Sequence, residues 1–235
     1  MAVVETEQAC LREGTPGLWW FDGWGPAWMT AGVVGRSADL AQLQQQLPTM
    51  RRLVEAEQVH GGSIAVIHRS LDLAGPVAGC DALLTSLPSI ALLMRTADCL
   101  PLFLMDPSRR AVGIAHAGWR GLAAGLPLRM LAAFRHAYHS RPEDLRVAIG
   151  PSIRSCCYEV GPEFAARFGP FVTLRHGRRT CDLIGVAVDQ FRRGGVRPAQ
   201  IVDCQQCTAC DTDPWFSIRR EGQATGRLRS FILIR

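Results

Sequence analysis

The chain has no lysine and no asparagine among its 235 residues. Without lysine there is no Schiff-base chemistry and no Lys-bearing phosphate loop. Phosphate, if it is bound, must be held by arginine, by backbone amides or at a helix start. No apolar run approaches the length of a membrane span, and Met1–Glu7 shows neither a basic start nor an apolar core. These absences predict a cytoplasmic protein that engages no membrane, with nine cysteines present as reduced thiols or metal ligands. Arginine pairs such as Arg51-Arg52, Arg109-Arg110 and Arg178-Arg179 are scattered, and no basic run interleaves with aromatics. Nucleic-acid binding is therefore not expected. The Walker loop, the dinucleotide fingerprint, His-Glu-x-x-His and Gly-x-Ser-x-Gly are all missing.

What the chain does have is a globular composition, 48% hydrophobic and 20% charged, long enough to bury a large core. No repeat, linker or low-complexity stretch divides it, so residues 1–235 read as a single domain of mixed α+β type. Two segments organise it. Ile90–Met94 leads into Thr96-Ala97-Asp98-Cys99-Leu100-Pro101, and Ala111–Ala115 leads into His116-Ala117-Gly118-Trp119-Arg120-Gly121. Short apolar runs ending in turn residues read as buried strands that deliver polar groups at their ends.

Around these segments the pattern predicts further elements. Trp19–Trp24 reads as core or edge-strand packing, and Ser37 as the cap of a short helix through Leu47. Leu53–Val59 and Ser63–His68 read as a hairpin with His60 at its tip. Gly79–Thr85 reads as a strand. Leu122, Leu126, Met130, Leu131 and Phe134 share one helical face, with Pro127 forcing a kink or a helix start just before it. His136 and His139 fall near that helix's end, where an imidazolium suits the dipole. Leu145–Ile149 reads as a strand, Pro162 as the start of a helix through Phe168, and Asp182 as the cap of a helix from Leu183 to Arg193. Strands are expected at Gln200–Cys204, Trp215–Ile218 and Arg229–Ile234.

His60, Cys99 and His116 form a candidate three-ligand set. With zinc, three protein ligands leave a fourth position for water or substrate. Without metal, Cys99 and a histidine form a nucleophile–base pair; a small buried cysteine is the third alternative. Spacing alone leaves the three open. Gly118-Trp119-Arg120-Gly121 offers backbone N–H groups and a guanidinium to an anion, or else Arg120 pairs with a carboxylate such as Asp98. Cys204-x2-Cys207-x2-Cys210 lacks a second pair, and completing it requires Cys181 or Cys156-Cys157 from a distance. The trio reads as three separate thiols rather than an iron–sulfur motif.

Several stretches together resemble one family, the laccase-like multicopper polyphenol oxidases, also described as zinc-dependent purine nucleoside phosphorylases. They are Gln58-Val59-His60-Gly61, Asp81-Ala82-Leu83, Thr96–Pro101, Ala115–Gly121, Ile149–Ile153, Cys157–Gly161, Cys207-Thr208, Phe216–Arg220 and Thr225-Gly226-Arg227. The resemblance runs from about residue 53 to the C-terminus, with residues 1–50 divergent. There Met29–Gly35 replaces the Ser-Thr-Arg…Gly-Gly segment usual in relatives, a departure that bears on substrate preference. The resemblance implies mixed β-sheets sandwiched between outer helices in αββα layers, and zinc held by His60, Cys99 and His116 as the catalytic centre. It implies phosphorolysis of adenosine, inosine, guanosine and methylthioadenosine, with adenosine deamination as a second activity. Phosphate would be received by Arg120, Arg219, Arg220 and Arg227. Some bacterial relatives are described as peptidoglycan-editing factors, which keeps a Cys–His amide hydrolase as the alternative. A multicopper mechanism does not fit: the chain has six histidines and no His-x-His. A single copper held by the two histidines and the cysteine remains chemically accessible.

Overall fold

The computed structural model describes residues 10–68 and 75–235. The N-terminal stretch read above for a signal sequence lies outside them. Two six-stranded mixed sheets stack face to face. The first has the order β1 (Cys10–Thr15), β2 (Leu18–Asp22), β3 (Met29–Val34), β14 (Leu228–Ile234), β7 (Ile90–Thr96), β4 (Arg52–Glu55). The second runs β13 (Ile201–Asp203), β10 (Arg146–Ile149), β8 (Leu100–Asp106), β9 (Ala111–Ala117), β6 (Ala82–Thr85), β5 (Ile64–Ile67). Pairs β4–β7, β5–β6 and β10–β13 are parallel, and the other ladders are antiparallel, among them a separate pair of β11 (Val172–Arg175) with β12 (Arg178–Cys181).

The period-2 alternation of each strand builds the layers. In β8, Phe103 and Met105 face the first sheet, while Leu100, Leu102 and Leu104 face the helices. In β14, Ile232 and Ile234 face the second sheet, while Phe231 and Leu233 face outward onto α1 (Leu40–Gln46). Strands covered on both sides read as continuous apolar runs, which is why β7, β8 and β9 stood out in the sequence. Over the second sheet lie α2 (Trp119–Ala123), α3 (Leu126–Tyr138), α4 (Glu163–Phe168) and α5 (Leu183–Arg193). The expected αββα sandwich is the observed one, with most of its helical mass on one side. Among the described residues no helix is long and apolar enough to cross a membrane.

The predicted break before Pro127 falls at Gly125, whose left-handed backbone (φ 73°) separates α2 from α3. Asp182 caps α5 by accepting from Gly185 N at 3.0 Å. Three expectations are corrected. Residues 53–68 do not form a hairpin, because β4 pairs with β7 in the first sheet and β5 with β6 in the second. The cap of α1 is Asp39, in a reciprocal box with Gln42, instead of Ser37. Residues 215–218 are not a strand: Ser217 accepts from Arg220 N and starts α6 (Ile218–Glu221). The Ser217 hydroxyl satisfies one of the free N–H groups of a helix start, and Gly222 (φ 82°) ends the helix after about one turn.

Candidate metal centre

His60, Cys99 and His116 come from three places in the fold. The chain crosses from the first sheet to the second twice, between β4 and β5 and again between β7 and β8. His60 lies on the first crossover and Cys99 on the second, and both meet the end of β9, which carries His116. Their ligand atoms all lie within 4.8 Å of one another. The two imidazoles stand edge to face, with centroids 4.7 Å apart. His116 is buried, Cys99 half-buried and His60 exposed at the mouth.

The crossovers are held in unusual backbone shapes. Gln58, His60 and Asp98 all adopt positive φ (67°, 59° and 93°). Gln58 is clamped by two bonds to β7, donating to Arg95 O at 2.7 Å and accepting from Arg95 N at 2.8 Å. Such strained positions persist where the surroundings over-determine them, and they cluster at functional sites. Gly118 leaves the space the centre needs, since a Cβ there would sit 3.1 Å from Cys99 Sγ.

The residue that orients the site is Asp81, fully buried just before β6. Ala82 pairs with Ala115 in the β6–β9 ladder, so Asp81 and His116 are cross-strand neighbours, and His116 N donates to Asp81 O at 2.8 Å. Asp81 Oδ1 accepts from His116 Nδ1 at 2.9 Å and from His60 N at 2.9 Å, and Oδ2 accepts from Gly61 N at 2.6 Å. A carboxylate only accepts, so Nδ1 carries a proton, and Nε2 is the nitrogen that a metal would take once its own proton has left. Asp81 belongs to one of the stretches quoted above but was not singled out as a site residue. Its signal was an acid immediately before an apolar strand.

The electrostatics favour charge separation. Burial would raise the Cys99 thiol, but hydrogen bonds and charge from His116 and His60 outweigh it and bring the pKa down to about 7. Burial would lower His116, but Asp81 and Cys99 raise it to about 9. Burial likewise opposes ionisation of Asp81, and the bonds from His116, Gly61 and His60 hold its pKa below the ordinary value. Two nitrogens and one sulfur at this spacing, with an oriented Nε2 and an exposed third member, fit a zinc ion with one open position.

The arginines are placed unequally. Arg120 is exposed and lies over the Trp119 ring at 4.4 Å from its centroid. It does not pair with Asp98, which accepts from Thr208 Oγ1 and Arg219 N, both at 2.7 Å. Arg219 is exposed, lies over Tyr158 and donates to Glu159 O. Arg220 donates to the carbonyls of Thr208 and Trp215, and Arg227 to those of Thr225 and Gly226. Of the six histidines, only His60 and His116 join a group of three or more metal-binding side chains among the described residues. That is too few imidazoles for a multicopper centre.

The family described as multi-copper polyphenol oxidoreductase laccase matches residues 33–235. Purine nucleoside phosphorylase YlmD of Geobacillus stearothermophilus is 34% identical over 198 residues, covering 78% of this chain and 72% of that protein. A purine nucleoside phosphorylase of Deinococcus radiodurans is 36% identical over 181 residues, 74% of this chain and 67% of that one. Adenosine deaminase RL5, from an unknown prokaryotic organism, is 33% identical over 190 residues, 74% of this chain and 72% of that one. The crystal structure of YlmD from G. stearothermophilus superposes with a TM-score of 0.86 at 29% identity, covering 97% of this chain and 99% of that one. The structural likeness thus extends through the N-terminal region whose sequence departs from the pattern.

Proposed function

Since this chain belongs to the multi-copper polyphenol oxidoreductase laccase family, with proteins named purine nucleoside phosphorylase among its relatives, we propose that it is a zinc-dependent purine nucleoside phosphorylase. The observation that carries the reading is the convergence of His60, Cys99 and His116 beneath the buried carboxylate of Asp81. His60, Cys99 and His116 would hold the zinc, which would supply Lewis acidity and an acidified water at neutral pH. Asp81 fixes the ring of His116 and, through His60 N and Gly61 N, the crossover that carries His60. In phosphorolysis a phosphate oxygen bonds to C1′ of the ribose as the bond from C1′ to the purine nitrogen breaks, and the departing base takes up a proton. Arg120 and Arg219, both exposed, offer forked donors to the phosphate. Arg220 and Arg227 are the remaining candidates for phosphate, and their present carbonyl contacts shape the loop beside it. Deamination of adenosine, in which water adds at C6 and ammonia departs to leave inosine, is the second activity we assign to the same centre.

The test is release of free base from inosine and adenosine with and without phosphate, with zinc and copper content measured on the same protein. Phosphate-dependent release, lost on chelation and in Cys99→Ser, is the expected result. No base release from zinc-loaded protein would overturn it. The thiolate and imidazolium favoured at Cys99 and His116 support a second reading, a metal-free amide hydrolase of the kind that acts on cell-wall precursors. That activity would survive the chelator and be killed by alkylation.

A further inference from the structure

Away from this centre a second group of ligands comes together. The Sγ atoms of Cys156, Cys157, Cys207 and Cys210 all lie within 4.8 Å of one another. The closest approaches are 3.2 Å for Cys157–Cys210, 3.5 Å for Cys156–Cys210 and 3.6 Å for Cys156–Cys207. A disulfide requires about 2.05 Å. Four sulfurs arranged tetrahedrally at about 2.3 Å from one zinc ion stand about 3.8 Å apart. An iron–sulfur cluster spreads its cysteines over several irons, which spaces them more widely than a single ion does. We infer that Cys156, Cys157, Cys207 and Cys210 form a second metal site, a closed tetrathiolate that holds one zinc ion.

The fold explains how residues about 50 apart converge. β10 and β13 are parallel neighbours, with Ile149 paired to Asp203, so both strands release their following loops at the same end of the sheet. Ser152 and Cys207 then bridge, with Thr208 N donating to Ser152 O at 3.1 Å. On one loop a tight turn closes by bonds from Cys157 N and Tyr158 N to Arg154 O, presenting two adjacent thiols. On the other, Asp211 N donates to Cys207 O at 2.9 Å and Asp211 Oδ2 accepts from Cys207 N, closing the Cys-x2-Cys turn. Cys204, the first member of the trio, is not part of the group and packs against the inter-sheet core.

Four protein ligands leave no open position, so the site is structural. Its effect reaches the first centre. Thr208, inside the Cys207–Cys210 turn, donates to Asp98 Oδ1, and Ile153 on the other loop donates to Asp98 O at 2.9 Å. Asp98 precedes Cys99 in the strained crossover. The ion ties together the two loops that hold the wall of the catalytic pocket.

Elemental analysis and sulfur-sensitive X-ray absorption test this without relying on turnover. Wild-type protein is expected to carry two zinc ions per chain. Cys99→Ser is expected to retain one, with an all-sulfur first shell, and after cobalt(II) replacement to show the charge-transfer bands of a tetrathiolate complex. The paired substitution Cys156→Ser with Cys210→Ser should lose that ion and leave the mixed nitrogen–sulfur one. If the paired variant does not fold, the Cys99→Ser spectrum alone decides. Zinc-loaded Cys99→Ser protein that keeps no zinc after dialysis, with the four cysteines titrating as free thiols or joined as disulfides, would overturn the proposal.

Discussion

The two groups of metal-binding side chains are built on opposite plans. His60, Cys99 and His116 sit at a strand end and on two crossovers between sheets, and a buried carboxylate orients them. Cys156, Cys157, Cys207 and Cys210 sit on two loops leaving adjacent strands of one sheet, and hydrogen-bonded turns closed at Arg154 O and Asp211 shape them. The first mixes nitrogen with sulfur in a set of three; the second is all sulfur in a set of four, with Cys156 and Cys210 exposed. Ligand count and openness, rather than proximity of ligands, separate a site for chemistry from a site for support.

The largest effects should come from removing one site while the other stands. Cys99→Ser should end base release with little change in melting temperature. Chelating the remaining ion from that variant should lower the melting temperature instead. A site about 100-fold saturated contributes about 2.7 kcal/mol, which corresponds to a fall of about 5–10 °C for a chain of this size. Calorimetry checks it, and an unchanged transition would remove the contrast.

Next in size is Asp81→Asn. It keeps the shape but replaces an acceptor-only group, and outer partners of this kind are worth about 10–100-fold in metal affinity. Competition with a zinc indicator should show that loss at the first site only, and excess zinc should restore activity. Reactivity gives a third contrast, in metal-free protein. Cys99, brought down to about 7 by its histidines against the effect of burial, should be alkylated with a rate that rises through pH 7. Cys156, pushed up to about 11 by burial and by its bonds to Cys210 and Cys207, should stay slow at pH 8. Peptide mapping of the labelled cysteines reads both. The smallest effect expected is from Thr208→Val, which removes one bond to Asp98 at a cost of about 1 kcal/mol. It should lower turnover a few-fold while both ions remain bound, and unchanged turnover would separate the two sites functionally.

Much of the first site was legible because its residues interrupt apolar runs. Cys99 follows buried strand β7 by three residues and His116 falls at the end of buried strand β9, where a polar residue has few reasons to be present. Asp81 was not legible in the same way. Its role follows from the β6–β9 register, which places it opposite His116 across 35 residues of sequence. The hairpin predicted around His60 failed because adjacency in sequence says nothing about a chain that changes sheet between two strands. The four-thiol group failed for a related reason. Its pairing of Cys156-Cys157 with Cys207 and Cys210 rests on the parallel contact of β10 with β13, which no local spacing reveals. The arginines of residues 219–227 were visible as a cluster, but only the folded chain separates Arg219, against Asp98 and Tyr158, from Arg220, committed to carbonyls.

The two crossovers also set an order of events. His60 and Cys99 reach His116 only after the first sheet has docked on the second, because each lies on a segment that joins them. A chain whose halves have not yet met has no complete pocket to offer an ion there, so filling of that pocket reports finished assembly. The thiol loops need only β10 beside β13. An ion held there would depend on a contact within one sheet, and one held by His60, Cys99 and His116 on the meeting of both.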